Sequence, residues 1–171
     1  MRYISCLYIL LLLSANLWAI DIPISITGKI AIPPCQINGN EPVNVDFGNI
    51  RATDLEINEY IKKISSPINC QYHQGNAYVK VTGPTLNDDD NILATNINGL
   101  GIALYQGEGT INHLIIGNGE SNHGYKIINA LSDKNTEKSA FTFTAKLYKK
   151  QGTIVNSGEF NAAALVEIVY M

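Results

Sequence analysis

Residues 140–148 read AFTFTAKLY, and their alternation decides the fold class. Phe141, Phe143, Ala145 and Leu147 share one parity, and Thr142, Thr144, Lys146 and Tyr148 share the other. Successive side chains of an extended chain point to opposite faces, so the segment predicts a strand with one apolar face. Tyr78-Val79-Lys80-Val81 and Val43-Asn44-Val45-Asp46-Phe47 alternate in the same way. Turn formers lie between such runs at Pro33-Pro34, Asn38-Gly39-Asn40, Gly83-Pro84, Asn87 to Asn91, Gly107 to Gly109, Gly117 to Gly119 and Gly152. Short β-branched and aromatic runs with frequent turns predict an all-β, antiparallel sandwich. Only Ala52 to Ile64 has a pattern compatible with a helical turn, and that pattern is weak. With no internal repeat and no low-complexity linker, a single domain is expected.

The first residues stand apart from this pattern. Arg2 supplies a positive start, Leu7 to Leu13 is apolar apart from Tyr8, and Ser14-Ala15-Asn16 lead to Trp18-Ala19. That is the layout of a secretory signal peptide over residues 1–19, with an apolar run too short to span a bilayer. The alternative is a retained membrane anchor. Removing the signal leaves roughly 150 residues, enough for one domain with a proper core. Cys6 leaves with it, and the remaining pair, Cys35 and Cys70, reads as a disulfide in an exported protein. Two buried free thiols are the alternative. The formal net charge is −3, and Lys62-Lys63 and Lys149-Lys150 are isolated basic pairs. Without a basic cluster, nucleic acid is not an expected partner.

Two segments carry the functional argument, and both lie at the ends of the chain. Residues 158–171 read GEFNAAALVEIVYM. Gly158, Phe160, Ala162, Ala164, Val166, Ile168 and Tyr170 share one apolar parity, with Glu159, Asn161 and Glu167 outward. This predicts a long final strand with nothing after it to cover its free edge, and an uncovered apolar edge invites a strand from elsewhere. At the other end, Ile22, Ile24, Ile26, Gly28, Ile30 and Ile32 share one parity, opposite Pro23, Ser25, Thr27, Lys29, Ala31 and Pro33. An ordinary first strand of the sandwich explains this pattern as well. Two features favour another use: the segment begins at the expected mature N-terminus, where chains fray, and Gly28 leaves a gap suited to close approach by another chain.

Taken together, the alternating arm with its central Gly28, the Cys35 and Cys70 pair, Gly158 and the penultimate Tyr170 resemble the pilin subunits of the chaperone–usher pathway. Within that family the chain is most similar to the minor tip adaptors of P pili. The segments that carry the likeness are Ile32 to Cys35, Val45 to Ile50, Asn91 to Asn96, Gly101 to Gly107 and Ile115 to Gly119. The resemblance implies an incomplete immunoglobulin-like β-sandwich lacking its final strand, with an N-terminal donor-strand extension over residues 20–34 and the pilin domain over 35–171. It implies that Ile24, Ile26, Gly28, Ile30 and Ile32 enter a neighbour's groove. It also implies that Gly158 through Tyr170 edge this subunit's own groove and dock a periplasmic chaperone. The implied partners are that chaperone, an outer-membrane usher, adjacent pilin subunits and a tip adhesin. One departure from the family pattern is the additional Ile22 at the start of the arm.

Catalytic chemistry finds no support in the residues. His73, His113 and His123 lack metal-ligand spacing and read as surface histidines. Asp88-Asp89-Asp90 lacks the spacing and closing Glu of a calcium loop, and reads as an exposed turn. Gly107-Glu108-Gly109 and Gly117-Asn118-Gly119 are followed by no Lys-Ser/Thr and read as hairpin turns rather than phosphate loops. No cofactor, no metal and no enzymatic activity are expected. The competing readings are a rod-forming major pilin, a sugar-binding adhesin, and a self-sufficient immunoglobulin-like domain whose arm folds onto its own groove.

Overall fold

A computed structural model describes residues 22–56 and 60–171; the expected signal segment, residues 1–19, lies outside them. The strands are β1 (Gln36–Ile37), β2 (Ile61–Asn69), β3 (Ala77–Thr82), β4 (Thr85–Leu86), β5 (Asp89–Ala94), β6 (Leu100–Gln106), β7 (Tyr125–Lys126), β8 (Lys138–Lys149) and β9 (Leu165–Tyr170). Six of them form a sheet in the order β1-β2-β8-β6-β5-β4, and three form a second sheet in the order β7-β3-β9. Every pairing is antiparallel. Among the described residues there is no α-helix, only short 3₁₀ turns at Asn38–Asn40, Ala52–Glu56 and Glu120–Asn122.

The alternation of β8 becomes the centre of the larger sheet. It pairs with β2 on one side, Phe143 opposite Ile64, and with β6 on the other, Ala145 opposite Leu104. Phe141, Ala145 and Leu147 are buried and pack with Val79, Val81, Ile168 and Tyr170 of the smaller sheet in one apolar cluster. The core therefore forms between the inward parities of the two sheets, as in other sandwiches. Thr144 departs from the expected pattern. It lies on the outer parity yet is buried, because its hydroxyl donates to the Gly107 carbonyl at 2.8 Å. Gly107 in turn donates its N–H to the Thr142 carbonyl, so the 107–113 loop is held against that face.

Two local expectations are corrected. Val45 is half-buried and Phe47 buried while Val43, Asn44 and Asp46 are exposed, but residues 43–47 form no ladder, because among the described residues no strand lies alongside them. Among the described residues, the helical turn expected over Ala52 to Ile64 is realised as the 3₁₀ turn Ala52–Glu56. Ile61 to Ile64 belong instead to β2, where the inward alternation of Ile64, Ser66 and Ile68 matches the pleat. The acidic triplet divides. Asn87 and Asp88 adopt positive φ (55° and 63°) in the tight β4–β5 turn, while Asp89 and Asp90 open β5.

One glycine is fixed by close approach. Gly124 has φ +84°, and a Cβ there would overlap the Val79 carbonyl and the Lys80 backbone. Backbone strain and overpacking together set the cost of Gly124→Ala at about 2–4 kcal/mol. Chemical denaturation of the variant, with an unchanged slope and a lowered midpoint, checks this.

Candidate functional site

Among the described residues the last strand has a full ladder on one side and a single main-chain bond on the other. β9 pairs with β3 along its length, Val166 opposite Val81 and Ile168 opposite Val79. On its other flank the Ile168 carbonyl accepts the Cys35 N–H at 2.7 Å. Among the described residues, no further main-chain bond joins residues 36–47 to 158–167. Between these two segments lies a groove of about 860 Å³. Val81, Leu93, Leu104, Leu114 and Phe141 form its apolar floor. Val45 and Phe47 line it from one segment, and Phe160, Ala162, Ala164 and Val166 from the other. An adjoining cavity of about 430 Å³ shares Val45, Phe47 and Phe160 and extends to Leu55, Leu100 and Gly158. The Phe47 and Phe160 rings meet across the junction with centroids 6.2 Å apart.

The predicted C-terminal residues divide between groove and core. Phe160, Ala162, Ala164 and Val166 line the larger groove and Gly158 lines the smaller cavity. Ile168 and Tyr170, of the same parity, are buried in the core at 0% and 1% exposure. The long strand expected from Gly158 is shorter than its pattern: the ladder begins at Leu165. Among the described residues the preceding stretch has no strand partner, and it is held by a clip centred on Asn96. Asn161 N–H donates to Asn96 Oδ1 at 2.8 Å, Asn96 Nδ2 to the Glu159 carbonyl at 3.1 Å, and Asn96 N–H to the Asn161 carbonyl at 3.2 Å. Gly158, with φ +155° and no neighbour within 4 Å of an added Cβ, occupies a backbone region that favours glycine.

Sequence reasoning missed two parts of this site. Asn96 was legible only as the end of the Asn91 to Asn96 likeness and not as a clip, since that role depends on a segment 65 residues away. Val45, Phe47, Val81 and Phe141 were legible as apolar parities but not as groove, and Leu104 entered only within the Gly101 to Gly107 likeness. The disulfide is present: Cys35 and Cys70 are joined, tying the residues that flank the groove to the end of β2. Cys70 N–H also donates to the Glu137 carbonyl at 2.7 Å, so the bridge rests on a fixed strand end.

Residues 22–30 belong to no strand, and Ile24, Ile26 and Ile30 are 83%, 91% and 98% exposed. Nothing lies within 4 Å of a Cβ built on Gly28. Single exposed isoleucines are ordinary, but a row on one parity is not.

Elsewhere the polar groups are structural. His73 Nδ1 lies 3.1 Å from the Cys70 carbonyl, and the His113 ring packs edge-on against Tyr105 at 5.4 Å. Burial raises the pKa of the Tyr105 phenol above the ordinary tyrosine value; a hydrogen bond with Asn91 opposes the shift and the charge of Asp89 adds to it. Tyr105 sits one residue from Leu104 and so on the opposite face of β6 from the groove floor. Among the described residues no group of His, Cys, Asp and Glu could hold a metal ion, and no helix is long and apolar enough to cross a membrane.

Comparison with known proteins places the chain. It is 42% identical over 167 residues to the fimbrial adapter PapF of Escherichia coli, covering 96% of each chain. It is 41% identical over 167 residues to the minor fimbrial protein PrsF of Escherichia coli, again covering 96% of each. Its structure resembles that of the P pilus adaptor subunit PapF with a TM-score of 0.59 and 32% identity, covering 84% of this chain and 100% of that one. A family model described as fimbrial protein matches residues 24–171. That match runs from within the alternating arm to the last residue of the final strand's segment, and the chain belongs to the fimbrial protein family.

Proposed function

We propose that this chain is a minor pilus subunit that joins unlike neighbours by donor-strand exchange, linking a tip adhesin to the tip fibre. The observation that carries the reading is the open apolar groove beside a final strand paired on one side only. It is supported by a row of exposed isoleucines of one parity at the other end of the chain. In this reading residues 1–19 are removed on export, residues 20–34 are the donor extension, and 35–171 form the pilin domain. Before assembly, a periplasmic chaperone lends a strand to the groove. At the outer-membrane usher the arm of the next subunit replaces it. The protein is an exported component of the fimbrium at the cell surface, and its work is assembly rather than catalysis.

The same forces that fold the sandwich drive the joining. Burying Ile24, Ile26, Ile30 and Ile32 in an acceptor contributes about 6–12 kcal/mol, at roughly 1.5–3 kcal/mol for each side chain. Main-chain bonds on both flanks of the inserted strand add to this, and ordering the arm opposes it. No nucleotide is required. Gly28 would face the acceptor's floor where the strand runs closest to it.

Substitutions in the arm separate assembly from folding. Ile26→Asp and Gly28→Arg change residues outside the compact unit Ala31–Met171, so the thermal midpoint of the isolated subunit should stay within about 2 °C of the parent, as for surface changes of up to ~0.5 kcal/mol. Attachment to the acceptor subunit in a co-assembly assay should be lost. Normal co-assembly of both variants would refute the donor role, and purified chain that polymerises with itself would favour a rod subunit over an adaptor.

A further inference from the structure

The charges around the groove carry information that its apolar floor does not. Glu41 and Asp46 are the charged residues lining the larger groove, and Asp46 and Glu159 those lining the adjoining cavity. All three are exposed, and neither lysine nor arginine is among the lining residues. Asp46 Oδ1 accepts the Gly48 N–H at 2.7 Å, which fixes its carboxylate at the turn. A cleft edged by one sign of charge over a low-dielectric floor focuses the field along its length. The arm of this same chain shows what complements such an edge. Between residues 22 and 34 its apolar parity is Ile22 to Ile32, and the opposite parity carries one charge, Lys29, next to Gly28; Asp21 precedes this span on the same parity as Lys29.

We propose that the acidic edge selects the strand that enters the groove. The occupant is an extended segment of another subunit, with branched apolar residues on one parity and a lysine or arginine on the other. The inference rests on the groove being a donor-strand site. Apolar burial is nearly indifferent to which alternating strand is inserted, so the floor holds a strand and the edge discriminates between strands. Charges at an exposed edge act mainly on the association rate and its salt dependence. An anionic strand of equal apolarity would be repelled during encounter.

Labelled synthetic peptides of residues 22–34 test this against the full chain purified from the periplasm. One peptide has the native sequence, one carries Lys29→Gln and one Lys29→Glu. At ~20 mM salt the association rates should fall in the order Lys, Gln, Glu, with about 3–10-fold between the extremes. At ~1 M salt, where the Debye length is about 3 Å, the three should converge. The E41Q/D46N/E159Q variant keeps an acceptor oxygen at position 46 and should take up the Lys and Glu peptides at equal rates. Equal rates for all three peptides at both salts, with binding intact, would overturn the selection while leaving the groove as a donor-strand site. At peptide excess the arm stands in for the strand of an unlike neighbour, and binding of none of the peptides even there would overturn both.

Discussion

A variant lacking residues 20–32 at its N-terminus, but carrying that sequence after Met171 through a flexible linker, will melt well above the same truncated chain without it. The inserted strand buries four isoleucines, worth about 6–12 kcal/mol, and its backbone bonds contribute about 1 kcal/mol each. Ordering a flexible segment costs about 1–2 kcal/mol per residue, which consumes most of that gain. A net stabilisation near 4 kcal/mol raises the midpoint of a domain this size by about 8–16 °C. Thermal unfolding followed by circular dichroism reads the difference. The same appended strand bearing Ile26→Asp should lose most of the gain. A truncated chain that already unfolds cooperatively at the midpoint of the strand-appended variant would show that the sandwich is complete without a donor, and the proposed assembly mechanism would fall with it.

Replacing both Cys35 and Cys70 by serine should have the next largest effect. The residues are 35 apart in sequence, a separation for which chain entropy gives about 3–4 kcal/mol of stabilisation. That is a large share of a typical domain stability of roughly 5–15 kcal/mol. A local consequence comes on top of the entropic one. Cys35 starts the segment that flanks the groove and donates to the Ile168 carbonyl, the contact that closes one end of the open side of β9. Urea unfolding should show a midpoint lowered by about 2 M, given slopes of about 1–3 kcal/mol/M. Appending the donor strand should recover part of the loss. An unchanged midpoint in the serine variant would mean that the bridge neither constrains the unfolded chain nor holds the groove.

The comparison of sequence with structure divides along a physical line. Alternation is local, so β3 and β8 were legible wherever one parity faced a core: Val79 and Val81 in one, Phe141, Ala145 and Leu147 in the other. The parity of 158–170 survived even where the ladder did not, with Ile168 and Tyr170 buried and Phe160 to Val166 facing the groove. The disulfide followed from a pair of cysteines in an exported chain. Of the alternation over 43–47, Val45 and Phe47 turn inward and Val43 does not, and the segment formed no strand. A ladder needs a partner, and the partner of that segment is not supplied by the described residues of this chain.

What the sequence determined by itself, then, was the period-2 chemistry of each segment, the disulfide, and two ends whose apolar faces were patterned for pairing. Tertiary structure decided where those faces go. It placed β9 with one edge satisfied by β3, set Phe47 against Phe160, clipped Asn161 to Asn96, buried Thr144 under the 107–113 loop, and gathered Glu41, Asp46 and Glu159 along one opening. Each of these joins residues brought together only when the chain returns on itself. Side-chain direction is fixed within two residues, whereas an unpaired edge and a one-signed rim depend on where the rest of the chain has gone.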